Sequence, residues 1–267
     1  LGLADPTTLQ PVRTGQPGGL TYLITNSSRI TTLNHTVHGG GTEAIVEAGG
    51  EGGNVYRGIR VARREGRTPQ RLLAANADGF HSSCVVSGPT LEDSEISWTG
   101  DDLLNIHSRI SIVLRVLSHN SAYIIDAEGV SAPGDYDEST LMLERTQPGD
   151  TLSFFELGTL QPKGNGTITA LRRVYAEDVL QEASGAYEQI NSAPYNQRIG
   201  HGFGQRVWLV TWTSSSDATD ESAIVNLTKF SLVDVPRLRN NNAIVRRNHM
   251  HDAYMRFGLY DSPGAIV

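Results

Sequence analysis

Four short segments repeat one pattern along this chain. Thr32 to Val37, Tyr56 to Val61, Leu91 to Ile96 and Val245 to Met250 each place two candidate inward residues five apart around a polar middle. The steps from Val37 to Val61 and on to Ile96 are 24 and 35 residues, and Asn241 and Gly264 open similar runs 23 apart. Such spacing predicts a solenoid of coils of 23 to 25 residues with one longer loop, each coil burying its apolar face only against its neighbours. The expected fold class is therefore all-β: a right-handed parallel β-helix interrupted by an inserted antiparallel β-barrel or sandwich.

Local composition agrees with this class. Short runs rich in Val, Ile, Thr, Tyr and Leu are punctuated by Gly, Asn and Asp, and only Ala176 to Ala186 reads as a short helix. Between His107 and Arg239 the coil pattern stops. There the chain carries apolar or alternating runs at Ser111–Leu117, Asp150–Phe155, Arg206–Trp212 and Ala223–Leu227, joined by turn-like Pro148-Gly149 and Gly164-Asn165-Gly166. The expected organisation is coils over residues 1–107, an inserted antiparallel β domain over 108–238, and a return to the coils over 239–267. Asp261–Val267 reads as the opening of a further coil, so more chain or a homo-oligomer is expected to cap that end.

A net charge of -7 disfavours nucleic acid and anionic membrane as partners, because phosphate binding calls for a basic surface. No run of about 18 apolar residues is present to span a bilayer. The start at Leu1 rather than Met suggests a processed chain or a fragment. Cys84 stands alone and reads as a small buried apolar residue, with no structural zinc site expected. Sequons at Asn26, Asn34, Asn165 and Asn226 hint at glycosylation and an extracellular, secreted protein.

The chemistry concentrates in two polar clusters, Asn76-Ala77-Asp78-Gly79-Phe80-His81 and Gly100-Asp101-Asp102-Leu103-Leu104-Asn105-Ile106-His107. Asp78 and Asp101 are 23 residues apart, so stacked coils of that length would bring Asp78, Asp101 and Asp102 together at the strand spacing of roughly 4.8 Å. Crowded carboxylates cannot all ionise freely, and such a split suits general acid and base work. Read as local sequence alone, both clusters are also ordinary turns.

These two clusters, with Gly88-Pro89-Thr90-Leu91-Glu92-Asp93 between them, resemble the core of the glycoside hydrolases of family 110. The likeness is strongest over about 40 residues from Arg71, and the Asn-rich run Asn240–Asn248 is similar to that family's return coil. The resemblance implies a right-handed parallel β-helix with an inserted barrel and an inverting exo-α-galactosidase activity. It implies Asp78, Asp101 and Asp102 as the catalytic set and leaves open which is acid and which base; our working assignment gives the proton to Asp78 and the water to Asp101 and Asp102. The family more often has Asp-Ala-Thr-His where this chain has Asp78-Gly79-Phe80-His81. A weaker likeness to polygalacturonases rests on the same aspartates; Gly200-His201-Gly202 mimics one of their motifs by coincidence, and their Arg-x-Lys is missing.

Around the acids, His81, Asn105 and His107 are candidates to bind sugar hydroxyls or tune the carboxylates, and each also suits a turn or stacking role. Trp98 is a candidate platform for a sugar face. Arg71 is a candidate sugar contact or a surface residue, and Arg246 and Asn248 are candidates to complete the cleft. His249 and His251 alternate and are expected on opposite faces of a strand, which would keep them from one metal site. No metal or cofactor is expected. A carbohydrate is the expected partner. Two other functions stay open: a β-helix that binds glycan or builds an extracellular assembly without turnover, and a polysaccharide lyase using the acids to hold calcium.

Overall fold

The computed structural model describes residues 21–66, 69, 71–126, 142–191, 206–214, 227–254 and 258–259. Among them the chain divides into two compact units. One comprises the segments up to Ser108 and from Leu238 onward, the other Arg109–Arg237.

The first unit is built of three wholly parallel sheets. The first sheet contains β1 (Tyr22–Thr25), β4 (Ile45–Ala48), β7 (Phe80–Ser83), β10 (Leu104–His107) and β19 (Gly258–Leu259), in that order. The second holds β2 (Thr31–Leu33), β5 (Val55–Arg57), β8 (Thr90–Glu92) and β17 (Ile244–Arg246). The third holds β3 (Thr36–Val37), β6 (Arg60–Val61), β9 (Glu95–Ser97) and β18 (His249–His251). The chain enters these sheets in the same order on every circuit.

The sequence repeat is the register of this unit. Thr32, Tyr56, Leu91 and Val245 pair as one row across the second sheet, and Val37, Val61, Ile96 and Met250 as one row across the third. Tyr56, Val61, Leu91 and Ile96 are fully buried and share a core with Ile45, Phe80, Leu104 and Ile106. Each such side chain contributes roughly 1.5–3 kcal/mol by leaving water.

Strands of two to four residues need a sharp corner after each one. A residue in the left-handed region supplies it. Asn26, Gly49 and Cys84 follow the equivalent strands of the first sheet with φ of 46°, 69° and 53°. Asn34, Gly58, Asp93 and Arg247 do the same after the second, at 50°, 66°, 53° and 54°. Asn, Asp and Gly tolerate this conformation, whereas Cys84 and Arg247 adopt it against their local preference. Cys84 is fully buried.

The second unit is a closed barrel of six strands, ordered β11 (Ser111–Ser118), β12 (Ser121–Asp126), β15 (Val207–Ser214), β14 (Pro162–Val174), β13 (Thr151–Phe155) and β16 (Leu232–Asp234). All its pairings are antiparallel. Helix α1 (Glu177–Asn191) lays Val179, Ala183 and Ala186 on Ile112, Leu114, Val174 and Val207, the i, i+4, i+7 face of an amphipathic helix. It runs five residues beyond the expected end at Ala186.

Gly164-Asn165-Gly166 is not a turn. It lies within β14, with Gly164 opposite Phe154 and Gly166 opposite Leu152. A Cβ on Gly166 would stand 2.4 Å from the Trp212 ring, so this glycine makes room for a fully buried indole packed 5.1 Å from Phe154. The expected strand at Ala223–Leu227, the Gly200-His201-Gly202 mimic and the coil at Asp261–Val267 lie outside the described residues, apart from Leu227.

Candidate functional site

The two acidic clusters occupy the corner where the chain passes from the third sheet into the first. Asp78 stands two residues before β7 and Asp102 two residues before β10. Because His81 pairs with Asn105, the circuit here is 24 residues, and Asp78 lies beside Asp102 rather than Asp101. The Gly79 and Phe80 amides donate to the Asp102 and Leu103 carbonyls at 2.9 and 3.1 Å, which locks the two turns together. Oxygens of Asp78, Asp101 and Asp102 all come within 4.8 Å of one another. Asp78 and Asp102 are buried, at 6% and 7% exposure, and Asp101 is half-buried.

Two glycines permit this corner. A Cβ on Gly79 would lie 2.3 Å from Ile96 Cγ2 and 2.8 Å from the Leu103 carbonyl. One on Gly100 would lie 2.4 Å from the Asn76 carbonyl. The Gly100 amide donates to Ala75 at 2.9 Å, and Asn76 Nδ2 donates to the Gly41 carbonyl at 2.9 Å, tying three successive circuits together.

His81, Asn105 and His107 project from β7 and β10 beside the acids, as alternation on a strand requires. His81 Nδ1 is 2.7 Å from Asp78 Oδ2, and Asn105 Nδ2 donates to the same oxygen at 3.2 Å. His81 Nε2 meets His107 Nε2 at 3.1 Å, and His107 Nδ1 lies 2.7 Å from the Ser108 carbonyl. That carbonyl only accepts, so His107 Nδ1 carries a hydrogen. The next contact needs one hydrogen between the two Nε2 atoms, and the last needs one between His81 Nδ1 and Asp78 Oδ2. The chain ends at Asp78, whose oxygen lies within 4.8 Å of oxygens of Asp101 and Asp102.

Asn240, absent from the candidate residues, fastens this chain from behind. Its Nδ2 donates to the His107 carbonyl at 2.7 Å, and its Oδ1 accepts from Ser82 Oγ at 2.7 Å. The Asn-rich run around it was the available sign. Behind β7, Glu47 is fully buried; it accepts from Tyr56 at 2.6 Å and from Ser82 at 3.4 Å. Burial raises its carboxyl to about 7, against the lowering effect of hydrogen bonds from Tyr56, Asn54 and Ser82.

Other candidates sit elsewhere or are already engaged. Trp98 packs on the core with the Arg63 guanidinium 3.1 Å from its ring centroid, so one face is covered. Arg71 is exposed and lies across Gly39, where a Cβ would meet its Nη1 at 1.8 Å. Arg246 and Asn248 flank a different corner, between the second and third sheets. Arg246 donates to Glu92 at 2.7 Å, and Asn248 bonds the Leu91 carbonyl and the Ser94 amide, both at 2.9 Å. Arg57 and Arg247 also bond Glu92, and the contacts from Arg57 and Arg246 hold its carboxyl down to about 2.

Of the sequon asparagines, Asn26, Asn34 and Asn165 are exposed, and Asn226 lies outside the described residues. Among the described residues no helix is long and apolar enough to cross a membrane. The donor set of the acidic corner is oxygen only, which suits a hard cation such as calcium better than a transition metal.

No protein-family model matches this chain, and no curated protein matches it in sequence.

Proposed function

We propose that the first unit is a right-handed parallel β-helix and that the chain is a secreted glycoside hydrolase acting on α-linked galactosides or related glycans. The observation that carries this reading is the corner itself: three carboxylates with oxygens within 4.8 Å of one another, one of them ending a chain of contacts through His81 and His107. In the proposed reaction Asp78, in contact with His81 Nδ1 at 2.7 Å, gives a proton to the leaving glycosidic oxygen. His107 keeps His81 oriented throughout. Asp101 or Asp102 takes the proton of the attacking water as it adds to the anomeric carbon, or one of them attacks that carbon and a water, deprotonated by Asp78, then displaces the carboxylate to release the sugar.

The resemblance to family 110 implies inversion, with carboxyls about 6.5–9.5 Å apart. Retaining pairs stand roughly 5–5.5 Å apart, and here one oxygen from each of the three carboxylates lies within 4.8 Å of the others. Product stereochemistry is thus the informative measurement. Aryl α- and β-glycosides and galactosyl oligosaccharides are incubated with the protein, and the released anomer is followed by NMR beside the Asp102→Asn variant. Release that falls on the order of 10²–10⁴-fold in the variant supports hydrolysis. An inverted product supports the family mechanism, and a retained one assigns an aspartate as nucleophile. Silence across the panel from folded protein would remove the hydrolase reading in favour of glycan binding or assembly.

A lyase is the second reading, favoured by the oxygen-only cluster as a calcium site. It would produce an unsaturated sugar absorbing in the ultraviolet, and chelator would abolish that product.

A further inference from the structure

The outward face of the third sheet carries a second cluster with different chemistry. His249 and His251 are two residues apart on β18, and residues at that spacing share a face, so the expected opposition does not hold. Their rings stack at 4.2 Å with 29° between planes. Met250 between them packs inward in the row of Ile96. Glu95 on β9 stands directly opposite His249.

His251 is already oriented as a metal-binding histidine is. Its Nδ1 is 2.8 Å from Asp252 Oδ2, and Asp252 takes a left-handed φ of 57° at the corner after β18. A carboxylate on Nδ1 fixes the hydrogen there and leaves the Nε2 lone pair outward, the outer contact that ligating histidines nearly always make. That Nε2 faces Glu95 Oε1 at 3.8 Å. A tetrahedral ion with bonds near 2.1 Å would hold such donors about 3.4 Å apart, so a small rotation closes the gap. Glu95 keeps its other oxygen on Arg60 Nε at 3.0 Å, which orients the carboxylate without occupying Oε1.

We propose that His249, His251 and Glu95 form a chelating site for a divalent transition metal of the zinc, nickel or copper kind, clipping β18 to β9. Two imidazoles with one carboxylate suit these ions, whereas the all-oxygen acidic corner suits calcium. The site opens to solvent, with the His251 and Glu95 side chains each 33% exposed. The three side chains are not gathered as donors as they stand, and the His249 ring would turn out of its stack on His251 to bring a nitrogen to the ion.

Zinc chloride titrated calorimetrically into the full chain tests this, with His249→Ala, His251→Ala and Asp252→Asn in parallel and Asp101→Asn as the control at the other cluster. One equivalent should bind, at least 10-fold more weakly in each histidine variant, about 10-fold more weakly in Asp252→Asn, and unchanged in Asp101→Asn. No saturable binding, an affinity indifferent to both histidine changes, or loss only in Asp101→Asn would overturn the proposal. Copper(II) electron paramagnetic resonance on the unaltered protein is independent of how the variants fold. Hyperfine coupling from two imidazole nitrogens is expected, and an oxygen-only spectrum would count against the site.

Discussion

The two units use β-structure in opposite ways. In the parallel unit a residue's neighbours are its equivalents one circuit away, so a side chain is stacked on others of its own row, such as Val61 between Val37 and Ile96. In the barrel, neighbours come from antiparallel partners at changing separations, and β11 closes the cylinder by pairing β16. Rows tolerate a polar column as readily as an apolar one, provided each member bonds the next. Closed barrels instead concentrate bulk, and Trp212 with Phe154 fills one where Gly166 yields space. The lesson is that the parallel unit can place matching functional groups side by side, which is how its acidic corner arises.

The largest effect is expected where bulk is concentrated. Trp212→Ala should destabilise the barrel by about 3–5 kcal/mol. Hydrogen exchange should show β11–β16 losing protection while β5, β8 and β17 keep theirs. Equal loss in both would break the division into two units.

Two carboxylates of the parallel unit should give opposite pH slopes. Glu47, raised from 4.5 to about 7, is favoured protonated in the folded state. Its contribution is complete below pH 4.5 and is lost as pH rises to 7, and the shift of about 2.5 corresponds to roughly 3 kcal/mol. Glu47→Gln should flatten urea-derived stability across that window, and an unchanged slope would assign it elsewhere. Glu92, held at about 2 by Arg57 and Arg246, contributes above pH 4.5 and loses that contribution as pH falls from 4.5 to 2. Glu92→Gln should remove acid sensitivity there, read by the same denaturation series.

A smaller change sharpens the account of rows bonded across circuits. Asn240→Ala removes one partner each from Ser82 Oγ and the His107 carbonyl, which keep the longer contacts to Glu47 and from the Cys84 amide, both at 3.4 Å, so the cost is about 0.5–1.5 kcal/mol. Imidazole NMR should also show the His81–His107 contact loosened; unaltered spectra would make Asn240 a bystander. Least of all, Lys229→Ala should cost under about 1 kcal/mol, because its 3.0 Å pair with Glu182 is partly exposed and Arg115 keeps Glu182 paired when the lysine is removed. A larger loss in thermal unfolding would show that pair to be part of the fold.

Legibility followed the same divide. The rows through Thr32, Tyr56, Leu91 and Val245, and the meeting of Asp78 with Asp101 and Asp102, were readable from spacing alone, because parallel pairing in register converts distance along the chain into adjacency. No such conversion exists for Gly164–Gly166, where a turn-like string became strand to admit a tryptophan 46 residues later.

Sequence by itself therefore determined which residues stack and which acids approach each other. Tertiary structure decided the rest. A circuit of 24 rather than 23 residues set Asp78 against Asp102. Arg63 reached Trp98 from another circuit, and Arg246 and Asn248 fell at a separate corner. The His107–His81–Asp78 chain exists only because β7 and β10 lie side by side with their alternate residues facing the same way. Side-chain direction and hydrogen-bond partners depend on which surfaces meet in three dimensions, and spacing along a chain carries only part of that.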